Sequence, residues 1–229
     1  GYIPAYEFII KMNNVLDGEN TFVDYLDKYE KGNHSAEILK PLADKYRDKG
    51  DGNAALNLYQ ELLQSSNVSK NDFNHATYNI ASLSLTHNQN LQPLLTFLSS
   101  FEDSENFENG VYQLINYYKS NQMQDKELNT YNNYLEKLNY SHRFLNSYAW
   151  RMSELDINLD DALKKVNLAL LLIDQTNKSY TNILDTKAEV LWKLGDMKQA
   201  IQIIDQALLI NPDSKYYQTQ KEKFLNSIN

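Results

Sequence analysis

Small residues recur along this chain in a fixed pattern, and that recurrence restricts the fold more than any other feature. Near the C-terminus, Ala188, Gly195, Ala200, Ala207 and Pro212 punctuate an apolar region that includes LWKLGDMKQAIQIIDQALLINP. Apolar side chains at Ile183, Leu184, Ala188, Leu191, Trp192 and Leu194 return at helical spacing, which predicts a helix over 181–193. Gly195 should end it, because glycine takes the left-handed conformation without a steric penalty, and Asp196 is placed to cap the next helix. That second helix is expected from about Met197 to Leu209, with Ala200, Ile201, Ile204 and Leu208 on one side and Pro212 as its stop. Two helices joined by so short a turn must pack antiparallel, and Ala188, Ala200 and Ala207 allow their backbones a close approach.

One hairpin cannot bury its own apolar faces, so copies are required. FLNSYAWRMSELDINLDDALKKVNLALLLID repeats the layout with Ala149, Ala162 and Ala169. LKPLADKYRDKGDGNAALNLYQELL does so with Ala43, Gly50, Ala55, Tyr59 and Leu62. Two weaker copies lie between: one has Ala81, Pro93 and Phe97, the other Tyr118, Glu127, Tyr131 and Tyr134 at matching offsets. The copies start near residues 36, 74, 108, 142 and 181.

This pattern resembles the tetratricopeptide repeat (TPR) family, whose unit is a helix hairpin of about 34 residues. The last copy carries the resemblance best, through Leu184, Ala188, Leu191, Gly195, Ala200, Ile204, Ala207 and Pro212, with Lys187 where an apolar residue is usual. The fourth copy has an insertion near Asp156 to Asn158, and Pro93 stands at a position that should be small. The resemblance implies an all-α, right-handed superhelical solenoid of about five antiparallel hairpins. The expected division is an N-terminal helical pair at 1–32, a TPR-like array at 33–214 and a C-terminal capping helix at 215–229. Within the flanks, Ile3–Leu16, Thr21–Tyr29 and Tyr216–Ile228 read as helices, with a break at Asp17 and Gly18. Lys215, Lys221, Glu222 and Lys223 suit the wetted face that closes such a stack.

The opening GYIPAYEFIIKM supports two readings. Pro4 in a first turn fits an ordinary capping helix. Gly1, Tyr2, Phe8 and Ile9 also resemble the last strand–helix junction of thioredoxin-like proteins, some of which carry a helical-repeat tail. Under that reading 1–16 closes an upstream domain, and a Cys-x-x-Cys motif ahead of Gly1 would identify it. The start on Gly rather than Met leads us to expect a processed or excised piece. The compartment follows the same fork: export or periplasm with the fusion, cytoplasm without it.

Charge and composition narrow the function. A formal net charge of −8 works against a phosphate-binding surface, so nucleic acid is not an expected partner. No apolar run nears the roughly 20 residues that cross a bilayer, so membrane insertion is not expected. The absence of cysteine removes thiolate ligands and nucleophiles. His34, His75, His87 and His142 are scattered, DKGDGNAALNLYQE lacks the glycine register of a calcium loop, and Asp160 and Asp161 suit a helix start. No phosphate loop, dinucleotide fingerprint or nucleophile elbow is present, so we expect neither catalysis nor a cofactor or metal in this chain.

What remains is a surface. In the family, the first helix of each repeat lines a groove, and carrying its positions over selects Tyr78, Ser82, Tyr112, Asn116, Lys119, Asn146, Trp150, Asp185, Glu189 and Trp192. Large aromatics and amides suit a protein or peptide segment, and self-association is compatible with such a surface. The carboxylate clamp of chaperone-binding relatives is not retained: Lys40 and Asn79 fit it, but Asp44, Asn109 and Gln113 replace its other members. The expected function is a non-catalytic, protein-binding scaffold. The alternative is a docking or regulatory tail of a thioredoxin-like oxidoreductase.

Overall fold

A computed structural model describes residues 4–16 and 18–227. Among them lie α1 (Ala5–Leu16), α2 (Phe22–Glu30), α3 (Ala36–Asp48), α4 (Gly52–Gln64), α5 (Lys70–Asn88), α6 (Gln92–Ser100) and α7 (Phe107–Ser120). They continue with α8 (Gln124–Leu135), α9 (His142–Leu155), α10 (Leu159–Leu172), α11 (Tyr180–Lys193), α12 (Met197–Ile210) and α13 (Lys215–Asn226). No strand occurs among the described residues. Gly1 and Tyr2 of the expected junction, Ile3 at the start of the expected first helix, Asp17 of the expected break and Ile228 at the end of the expected last helix lie outside the described set. The chain packs as two compact units, Gly1–Tyr117 and Tyr118–Asn229.

In the first unit, α2 packs on α3, α3 on α4, α4 on α5 and α5 on α6. Ala43 and Ala55 are fully buried in one cluster with Leu39, Leu42, Leu58, Tyr59 and Leu62, so the small residues do sit where α3 and α4 meet. Gly50 has φ +85°, and the Asp51 carboxylate accepts a hydrogen bond from the Ala54 N–H at 3.0 Å, which starts α4. The sequence placed the next helix near residue 74, but α5 begins at Lys70. Ser69 accepts from the Asp72 N–H and donates to the Asp72 carboxylate, a polar cap that apolar periodicity does not register. Pro93 lies in the first turn of α6, where a missing N–H has no helical partner to lose. That explains a proline at a position the repeat pattern would fill with a small residue.

In the second unit, α9 packs on α10, α10 on α11, α11 on α12 and α12 on α13. Ala149, Ala162, Ala169, Ala188, Ala200 and Ala207 are all fully buried. Gly195 has φ +84° and the Asp196 carboxylate accepts from the Gln199 N–H at 3.0 Å, so stop and cap fall where the sequence put them. The insertion after α9 is a turn in which Asp156 and Asn158 take left-handed conformations, φ +58° and +50°, that their short polar side chains tolerate. α13 closes on the unit through Tyr217 and Phe224, which join Leu184, Ala188 and Leu191 in one core. Lys187, at the position the pattern keeps apolar, is half-buried, and desolvation lowers its pKa.

Candidate functional site

The groove positions lie on α5, α7, α9 and α11; α5, α9 and α11 are each the first helix of a hairpin, as α3 is. Side chains link α3 to α5, α5 to α7, and Lys119 of α7 to α9, between residues 31 to 35 apart in sequence. In the first unit, Lys40 bonds Asp72, Asp44 meets His75 at 2.8 Å, and Arg47 donates to Asn79 at 2.7 Å. Tyr59 donates to the same Asp44 carboxylate. Burial pushes Asp44 up, but His75, Tyr59 and Arg47 outweigh it and hold its carboxyl below the usual range. Lys40 and Asn79, the two residues that fit a carboxylate clamp, are therefore already engaged within the chain. Further along, Gln113 donates to the Tyr78 hydroxyl at 3.1 Å and to the Ser82 hydroxyl at 2.7 Å. Tyr78 and Ser82 are half-buried by this link; Tyr112 is half-buried too, while Asn116 is exposed.

In the second unit, Lys119 bonds Glu154 at 3.1 Å, and Glu154 also accepts from Arg151 at 2.9 Å and from the Trp150 indole at 3.1 Å. Burial raises the Glu154 pKa, yet Arg151 and Lys119 override it and hold the carboxyl below its ordinary value. Trp150 stays half-exposed beside this cluster.

One helical turn towards the start of α9, Asn146 lines a cavity of about 160 Å³ with His142, Arg143, Ser179, Asn182 and Ile183. Its side-chain carbonyl is buried and accepts no hydrogen bond from the protein. A buried acceptor left so costs on the order of 1–3 kcal/mol.

The remaining three positions do not face an open groove. α13 lies against them: Tyr216 donates to Asp185 at 2.9 Å, Lys223 pairs with Glu189, and the Trp192 indole donates to Ser227 at 2.9 Å. Lys223 also lies over the Trp192 ring, 4.1 Å from its centroid. Asp185 is only 5% exposed and Glu189 8%, so this part of the surface is spent on closing the stack. A pattern within one hairpin marks which side of α11 turns inward, but not that the next helix will cover it.

Asp185 has a measurable consequence. Desolvation, reinforced by Glu189, pushes its pKa up to about 6 against Tyr216 and Lys223, which favour the ionised form. A carboxyl raised in the folded state binds its proton more tightly there than in the unfolded chain. Its stabilising contribution is present below about pH 4, falls as pH rises through about 6, and is gone above. Asp185→Asn should therefore stabilise the protein by about 1–2 kcal/mol at pH 7 and flatten the rise in melting temperature expected of the parent between pH 7 and 5. Thermal unfolding across that range checks both; an unshifted profile contradicts the raised pKa.

The sequence placed Glu127 in the repeat pattern but gave no sign of Arg151 or of the ion pair between them, which joins α9 to α8 with guanidinium contacts at 2.7 and 2.9 Å. The signal was a charged residue, Glu127, at an offset matching the apolar or small positions of other copies. Among the described residues no group of three or more acidic or histidine side chains is placed to hold a metal, and no helix is long and apolar enough to cross a membrane.

The stacked hairpins define the fold as the TPR-type helical solenoid. No protein-family model matches the sequence, and no curated protein matches it either. Solved structures do. BtubC from P. vanneervenii is 16% identical with a TM-score of 0.58 over 77% of this chain and 79% of its own. The assembly chaperone of RpL4, Acl4, is 11% identical with a TM-score of 0.57, covering 99% and 97%. YrrB, described as a TPR protein with an unusual peptide-binding site, is 13% identical with a TM-score of 0.54, covering 88% and 100%. At these identities the likeness concerns the fold.

Proposed function

We propose that this chain is a non-catalytic scaffold that binds a protein segment, and that α9 and α11 hold the segment in an extended conformation. The observation that carries this reading is the buried Asn146 carbonyl, an acceptor without a donor in a cavity shaped by polar side chains. A guest backbone N–H supplies the missing donor, and a guest side chain can rest on the half-exposed Trp150. Tyr78, Ser82, Lys119, Glu189 and Trp192 are bonded to a neighbouring helix, and α13 covers Asp185, whose Oδ2 bonds Tyr216 while its Oδ1, like the Asn146 carbonyl, has no partner. A peptide-binding site on a protein of the same fold, YrrB, supports the class of partner.

Peptides selected from a random display library on the whole chain test the assignment. Asn146→Ala should weaken the selected peptides about tenfold, which corresponds to about 1.4 kcal/mol, without lowering the melting temperature, because the substitution also removes the unpaired acceptor. Trp150→Ala should weaken them as well. Undiminished affinity in Asn146→Ala, or a selection that yields no binders, contradicts the reading.

A further inference from the structure

We propose that the cavity between α2, α3 and α4 in the first unit is a binding site for a small aromatic amine. It lies apart from the peptide reading, on other helices and in the other unit. The cavity measures about 190 Å³; Leu26 and Tyr29 from α2, Leu42 and Tyr46 from α3, and Leu58 from α4 form its walls, and Ala54, Asn57 and Glu61, also from α4, complete the lining. Its origin is local. α2 has 9 residues where α3 and α4 have 13 each, and Ala54 contributes only a methyl group to the lining. Space that a longer helix or a larger side chain would fill stays open.

Size and chemistry select the ligand. A dry cavity of about 150 Å³ lined by apolar side chains holds one benzene ring, so a single six-membered ring fits here with room for a short arm. The two tyrosine rings offer edges and faces to an aromatic guest. Glu61 is the acidic group of the lining, oriented by the Tyr29 hydroxyl, which donates to it at 3.0 Å, and by a contact with His34. Each carboxylate oxygen retains lone-pair capacity for a further donor, and a carboxylate accepts but does not donate. An ammonium on the arm meets that requirement, and its charge is drawn by the net charge of −8. An anion or a ligand bearing only acceptors would meet repulsion at the same oxygens.

Titration of the whole chain with benzylamine, toluene and butylamine, followed by amide chemical shifts, tests the site. Benzylamine should perturb residues on α2, α3 and α4, binding about tenfold more tightly than toluene, which lacks the charge, or butylamine, which lacks the ring. Ala54→Leu fills the cavity and should abolish benzylamine binding while the melting temperature holds or rises; should it fail to fold, Ala54→Val carries the same test. Glu61→Gln should bring benzylamine down to the level of toluene and leave toluene unaffected. The proposal is overturned if benzylamine produces no shifts in the parent at millimolar concentration. It is also overturned if binding survives a folded Ala54 variant, or if Glu61→Gln keeps the full preference for the amine.

Discussion

Replacing Arg151 with Met should cost the second unit about 3–5 kcal/mol. Glu127 is 1% exposed, and its carboxylate is satisfied by the Arg151 guanidinium through two contacts at 2.7 and 2.9 Å. Removing the arginine leaves an ionised group out of water with no counter-charge, and that desolvation dominates the cost. The same logic predicts that the double variant Glu127→Leu, Arg151→Met recovers most of the loss, because a well-packed apolar pair is close to neutral against a buried ion pair. Chemical denaturation of the four proteins completes the cycle. A single variant within about 1 kcal/mol of the parent would mean that water reaches Glu127.

Ala200→Leu should cost about 1–3 kcal/mol for the opposite reason, too much volume rather than too little charge. Ala200 is fully buried in α12, in one cluster with Leu184, Ala188, Leu191, Ile204 and Ala207. Three added carbons have no room unless α11 and α12 move apart, and that movement disturbs the seat of Phe224 on α13. Leu209→Ala is the control on the same helix: Leu209 is 83% exposed, so its truncation should be nearly silent. Equal, small effects at the two positions would contradict the close helix crossing.

The contrast between these two sites shows what the sequence could and could not reveal. Alanines at repeating offsets, a left-handed glycine and a capping aspartate are local signals, and Gly195, Asp196 and Ala200 behave in the structure as those signals require. The resemblance to the repeat family also told which edge of each first helix turns away from its own partner. It carried no information on the neighbouring hairpin, because the residues that meet across first helices lie 31 or more positions apart and are chosen for pairwise chemistry. Hence Asp185, Glu189 and Trp192 were legible as groove positions, while their cover, α13, was legible only as a cap. Hence too the pairing of Asp44 with His75, and of Gln113 with Tyr78 and Ser82, is visible only in the folded structure. Asn146 was selected for its offset; its unpaired carbonyl is a property of the space around it.

The most direct test of the account reads that carbonyl. With a selected peptide added to the isotopically labelled chain, the Asn146 side-chain amide and the Trp150 indole resonances should shift in step with saturation. Those of the Trp192 indole, held against α13 through Ser227, should stay in place. Shifts at Trp192 with Asn146 and Trp150 unmoved would contradict it.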